Sequence, residues 1–120
     1  MKVIDPGHKY ELQTIDGNES SVLTFVKREG KGYPGNVGHY SGTIIQEVLR
    51  ACIDRLKYVD AQIPDNNNPI VIHDLRTALY HLEIRAANRH GKSMPFVDVT
   101  EIENLPVGQN GHLLVGAGTE

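Results

Sequence analysis

Two long segments with helical apolar spacing constrain this chain more than any other feature. Apolar residues recur in both at the three- and four-residue intervals that place side chains on one helical face. Thr43 with Gln46 fits a capping box, and Asn68-Pro69 fits a second helix start. We therefore predict helices over 43–63 and 69–90, joined as a long antiparallel hairpin. The predicted buried stripes are Ile45, Leu49, Cys52, Leu56, Val59 and Ile63 in the first helix, widened by Ile44, Val48 and Ile53, and Ile72, Leu75, Leu79, Leu82 and Ala86 in the second.

A second apolar line on the later helix comprises Tyr80, Ile84 and Ala87. Two paired helices and a small sheet leave such a line uncovered, and uncovered apolar surface usually marks association. We therefore expect a homo-oligomer.

The residues before the helices have the pattern of a β-hairpin. Apolar and polar residues alternate from residue 8, turn formers follow at 16–18, and residues 21–27 are rich in β-branched and aromatic side chains. The pattern predicts a hairpin over 8–28, and the fold class is α+β. Residues 93–120 contain turn formers and short apolar runs, so we predict one α+β domain at 1–92 followed by an irregular C-terminal arm at 93–120.

The glycine-rich loop, 29–42, with its flanking residues is the first candidate for function. Residues 27–43 include five glycines, three basic residues and two tyrosines. Glycines let backbone N–H groups approach a ligand, basic side chains bind phosphate, and tyrosines offer a surface for a base. A plain surface crossover is the alternative. The predicted ligand-binding residues are Lys27, Arg28, Lys31, Tyr33, Asn36, His39, Tyr40, Thr43, Arg85 and Arg89, the last two supplied by a neighbouring subunit.

Composition excludes several classes of protein. The net charge is −3, and the basic residues near the loop are too few for a duplex nucleic acid. No apolar run approaches the roughly 18 residues of a membrane span, and the first residues lack a signal-peptide core. The single Cys52 is expected to be a buried, inert thiol in a reducing cytoplasm.

Catalysis and metal binding find little support in the residues. The six histidines form no H-x-x-x-H pair and no H-E-x-x-H motif. Ser41 lacks the G-x-S-x-G elbow of a nucleophilic serine. We therefore expect no catalytic residue, no metal, no cofactor and no enzymatic activity.

Four segments carry a resemblance to a known family: Val-Ile-Asp-Pro-Gly-His-Lys-Tyr (3–10), Leu-Thr-Phe-Val-Lys-Arg-Glu-Gly (23–30), Tyr-Pro-Gly-Asn-Val-Gly-His (33–39) and Gln-Glu-Val-Leu-Arg-Ala (46–51). Together they resemble small accessory proteins of tailed phages and prophages, over residues 1–91. In size, helical hairpin and expected oligomerisation the chain is also similar to phage anti-defence sponges, which sequester cyclic nucleotide immune signals. The resemblance implies a protein at work in the cytoplasm of an infected bacterial host.

The resulting hypothesis is a non-catalytic anti-defence protein that sequesters a small phosphate-containing ligand, such as a cyclic nucleotide or an ADP-ribose derivative. One alternative is a protein-binding module that inhibits or recruits a host protein through its helical face. The other is a small hydrolase of such nucleotides.

Overall fold

The computed structural model describes residues 1–28 and 40–114 of the 120-residue chain. Its elements are three short strands, two long helices and one 3-10 helix, in that order. This confirms the predicted α+β class and the pair of long helices. Contacts within the chain define two compact units, one ending at Ile45 and the other beginning at Gln46. The boundary between a domain at 1–92 and an arm at 93–120 stays a prediction.

The N-terminal unit contains one antiparallel sheet with the strand order β1-β2-β3. Val3 lies opposite Tyr10, which lies opposite Leu23 on the next strand. β2 and β3 form the predicted hairpin, and Asp16 in its turn has a φ of 61°, a left-handed conformation that aspartate tolerates. The sequence did not indicate β1, which joins β2 through a turn at Gly7 with a φ of 82°. The strands are β1 (Lys2–Asp5), β2 (Lys9–Leu12) and β3 (Ser21–Thr24).

Two isolated bridges continue the sheet beyond β3. Phe25 pairs in parallel with Thr43, and Lys27 pairs in antiparallel fashion with Tyr40. Gly42 makes this close approach possible, because a Cβ there would lie 2.6 Å from the backbone nitrogen of Val26. Real Cβ atoms do not come so close to a backbone, so a larger residue would force the two segments apart.

The first helix, α1, spans Ile45–Gln62, against a prediction of 43–63. It starts later because the backbone of Thr43 bonds to the sheet, where its N–H donates to Thr24 O at 2.9 Å. The predicted capping box is therefore wrong. Gln46, its second member, is buried and directs its amide to His112 instead.

The second helix, α2, spans Asn67–Arg89, against a prediction of 69–90. Pro69 lies in its first turn, where backbone N–H groups have no intrahelical acceptor and proline is tolerated. As predicted, Gly91 follows the C-terminal end of the helix. Its φ is 70°, and its N–H donates to Asn88 O at 3.1 Å.

The core of the second unit joins α1, α2 and the 3-10 helix Val99–Asn104. The predicted stripe of α2 is confirmed at Ile72, Leu79 and Ala86, which are buried. Ile102 of the 3-10 helix is fully buried against them. The buried cluster is Ile53, Ile72, Leu79 and Ile102.

The predicted stripe of α1 is wrong in part. Cys52 is exposed, and so are Ile45 at 52% and Ile63 at 75%. Leu49 and Leu56 do pack against the buried cluster, and the centre of the inward face is Ile53, which the prediction placed at the margin of the stripe. Gln46 is also buried. Polar residues occupy inward positions because other elements supply their partners, and apolar spacing alone does not reveal those partners.

Part of the second apolar line of α2, which the sequence assigned to a second subunit, packs within the chain itself. Tyr80, on the second apolar line, packs against the buried cluster of its own chain, and so do Val97 and Leu105 of the segment after α2. The observation that favoured a homo-oligomer is thereby weakened, and the oligomer stays a prediction. Among residues 1–28 and 40–114, no helix has the length and apolar character needed to cross a membrane.

Candidate functional site

Asp5, the last residue of β1, gathers two of the predicted ligand-binding residues in the N-terminal unit. The Lys27 ammonium donates to its Oδ2 at 3.0 Å, and the Tyr40 hydroxyl donates to the same atom at 2.6 Å. The bridge between Lys27 and Tyr40 holds the two donors side by side, since each residue's N–H donates to the other's carbonyl, at 3.0 and 3.3 Å. Asp5 therefore fixes both side chains. We call Asp5, Lys27 and Tyr40, together with His8 and Lys9, the Tyr40 site.

Two ammonium groups converge on the aromatic ring of Tyr40. Lys9 Nζ lies 4.9 Å from the ring centroid, and Lys27 Nζ lies 5.5 Å from it. The His8 ring meets Tyr40 edge-on at 6.4 Å between centroids. Both ammonium distances fall within the range of a cation–π interaction, so two positive groups and the Asp5 carboxylate meet around one aromatic ring.

The hydrogen bond from Tyr40 and then the contact with Lys27 lower the pKa of Asp5 below its usual value. The carboxylate therefore stays ionised at neutral pH and keeps accepting from both donors. Chemically, the site offers ammonium groups and an aromatic ring in a fixed arrangement. It is suited to hold an anion that also carries a flat ring.

The other described residues of the predicted site do not belong to the Tyr40 site. Arg28 follows Lys27 and is exposed, whereas Thr43 is half-buried with its backbone in the sheet. Arg85 and Arg89 are exposed on α2, in the other compact unit. Whether any of these residues binds a ligand stays a prediction. The predicted residues outside the described part of the chain are Lys31, Tyr33, Asn36 and His39.

Sequence reasoning missed Asp5 and Lys9. The signal for Asp5 was its position before Pro6-Gly7, a turn at which the strand must end. Lys9 follows that turn directly, on the neighbouring strand. Nothing in the local pattern indicates that both side chains meet Tyr40, which lies thirty-five residues after Asp5.

A second polar cluster lies in the helical unit around Glu83. This carboxylate is 3% exposed, and its Oε1 accepts from the N–H of Leu113 at 2.9 Å. His112 Nδ1 lies 3.4 Å from the other oxygen, Oε2, and Arg50 Nη2 lies 3.7 Å from it. We call this group the Glu83 cluster, and it connects both helices to the C-terminal segment.

A third polar cluster surrounds Glu103, which is 4% exposed. Arg76 binds it with two bonds, Nε to Oε1 at 2.8 Å and Nη2 to Oε2 at 2.6 Å. Lys57 Nζ lies 3.2 Å from Oε2. Lys57 is seven residues after Arg50, and Glu83 is seven after Arg76. The Glu83 and Glu103 clusters therefore lie two helical turns apart on the same faces of α1 and α2.

Within the described ranges, no group of three or more His, Cys, Asp or Glu side chains could hold a metal ion. No protein-family model, no curated protein and no solved structure matches the chain.

Proposed function

We propose that this protein binds a small phosphate-containing ligand at the Tyr40 site without converting it. The observation that carries the proposal is the convergence of the Lys9 and Lys27 ammonium groups on the ring of Tyr40. Phosphate oxygens favour such ammonium groups, and nucleobases favour aromatic rings. Because Asp5 holds Lys27 and Tyr40 in place, little conformational freedom is lost on binding.

A nucleotide fits this chemistry because it combines a phosphate with a flat ring. We propose a cyclic nucleotide or an ADP-ribose derivative as the ligand class, held by a phage-type protein that sequesters immune signals in the host cytoplasm. The setting rests on the sequence resemblance, and the ligand chemistry rests on the Tyr40 site. The glycine-rich segment that leads directly into Tyr40 is proposed to contribute further contacts.

The test separates binding from turnover. The purified chain is incubated with cyclic di-AMP, cyclic di-GMP, 3′,5′-cyclic AMP or ADP-ribose, and the free nucleotide is measured after ultrafiltration. The protein is then denatured, and the released nucleotide is identified by chromatography. We expect depletion of at least one nucleotide and its recovery intact; an altered product would show the hydrolase, and no depletion would refute the proposal.

The alternative of a protein-binding module is favoured by one observation. Large apolar side chains are exposed where α1 meets α2, among them Tyr58, Ile63 and Ile70. Such side chains often anchor protein interfaces. If no nucleotide is depleted, this surface becomes the better candidate.

A further inference from the structure

The C-terminal strap, residues 106–114, is a small hairpin in the helical unit. Val107 and Leu113 form a bridge between its two arms. The N–H of Gly108 donates to the carbonyl of His112 at 2.9 Å. These bonds lie within the strap. A two-stranded hairpin this short is marginally stable by itself, so its amides stay protected only while it is attached to the helices.

Among the described residues, four polar contacts attach the strap to the helices: three involve the Glu83 cluster, and in the fourth Gln46 Nε2 of α1 lies 3.3 Å from His112 Nδ1. The Leu113 N–H donates to Glu83 Oε1, and His112 Nδ1 faces Oε2. Arg50 Nη1 donates to the carbonyl of Gly111 at 3.1 Å. The strap therefore occupies both oxygens of Glu83 and one nitrogen of Arg50.

This attachment leaves Arg50 incompletely bonded. Its side chain is 10% exposed, and within the described part of the chain its Nε and Nη2 have no hydrogen-bond partner. Nη2 lies 3.7 Å from Glu83 Oε2, which is beyond hydrogen-bond distance. By contrast, Arg76 makes a complete two-bond pair with Glu103. Arg50 and Glu83 have the same functional groups as Arg76 and Glu103. They do not form the same two-bond pair, because the strap bonds to Glu83 and to Arg50.

We propose that the strap can detach from the two helices, and that Glu83 and Arg50 then bond to each other in place of their bonds to the strap. When the strap leaves, Glu83 gives up the Leu113 N–H and takes the free guanidinium donors of Arg50. Glu83 and Arg50 then remain paired, although buried Gln46 loses its contact with His112. The exchange therefore removes the part of the penalty that comes from the two charged groups. Release also uncovers the apolar surface on which Leu113 packs. This device lies in the helical unit and does not depend on ligand binding at the Tyr40 site.

The test compares two variants of the full chain by hydrogen–deuterium exchange and thermal melting. Leu113→Pro removes the N–H that holds Glu83, whereas the matched Leu113→Ala removes side-chain packing and keeps that N–H. In Leu113→Pro we expect the amides of Gly108 and Leu114 to lose protection by about tenfold relative to Leu113→Ala. The protection of amides in α1 and α2 should be the same in both variants, and the melting temperatures of Leu113→Pro and Leu113→Ala should agree within about 2 °C.

A third variant shows whether Arg50 supplies the compensation. In Leu113→Pro combined with Arg50→Met, Glu83 has no replacement partner, so the melting temperature should be several degrees lower than in Leu113→Ala combined with Arg50→Met. The proposal is overturned if Leu113→Pro lowers protection throughout the helices. It is equally overturned if strap protection does not change, or if the losses from Leu113→Pro and Arg50→Met are simply additive.

Discussion

Replacing Glu103 by glutamine should remove a pH-dependent part of the stability of the helical unit. Burial raises the pKa of Glu103, but hydrogen bonds from Arg76, from its own backbone and from Lys57 outweigh burial and lower the pKa to about 2 from 4.5. At about 1.4 kcal/mol per pKa unit, this difference corresponds to about 3 kcal/mol at neutral pH. Because folding lowers this pKa, the stabilisation is complete above about pH 5 and is lost as the pH falls towards 2.

Urea unfolding followed by circular dichroism at pH 7, 5, 4 and 3 measures this contribution. The difference in unfolding free energy between wild type and Glu103→Gln should shrink by about 2 kcal/mol between pH 7 and pH 3. The carboxylates of Asp5 and Asp98 also have lowered pKa values, but they are present in both proteins and cancel. Glu101→Gln, an exposed neighbour, is the control and should differ from wild type by about 0.5 kcal/mol or less at every pH. A difference for Glu103→Gln that stays constant with pH would refute the reasoning.

Three further predictions concern packing and exposure. Ile102→Ala should lower the unfolding free energy by about 2–5 kcal/mol in urea titrations, because the side chain is fully buried, while Ile63→Ala should change it by about 0.5 kcal/mol or less. Gly42→Ala should lower the melting temperature measurably, because its Cβ would clash with neighbouring backbone, whereas Gly17→Ala meets open space and should not. Cys52 should react with Ellman's reagent as fast in the folded as in the urea-unfolded protein, and a folded-state rate a hundredfold slower would contradict its exposure.

The parts of the fold that sequence reasoning found are those encoded by neighbours in the chain. Helical spacing, the turn at 16–18 and the stop at Gly91 are all local signals, and they located α1, α2 and the β2–β3 hairpin. β1 was missed because a four-residue strand beside a turn has too few positions to show a clear alternation. The inward face of α1 was located only in part because Gln46 and Arg50 are polar, and their inward positions depend on partners far along the chain.

The same limit applies to the candidate site. Lys27 and Tyr40 stood out because charge and aromatic residues cluster around the glycine-rich segment, and the structure brings these two together on one carboxylate. Asp5 and Lys9 could not be assigned to them, because that contact depends on the pairing of the three strands. Sequence composition therefore indicated which segment to consider, whereas strand pairing determines which side chains contact Tyr40.

The most direct test of the proposed function is calorimetric titration of the full chain with the nucleotide depleted in the incubation assay. Lys9→Ala removes an ammonium group from the Tyr40 site, and Lys2→Ala removes one elsewhere in the same sheet. We predict that Lys9→Ala weakens binding by about tenfold or more, since a charge-assisted bond to phosphate is lost, and that Lys2→Ala binds as wild type does. Equal affinity in wild type and Lys9→Ala, or an equal loss in both variants, would contradict the assignment of the Tyr40 site as the phosphate-binding site.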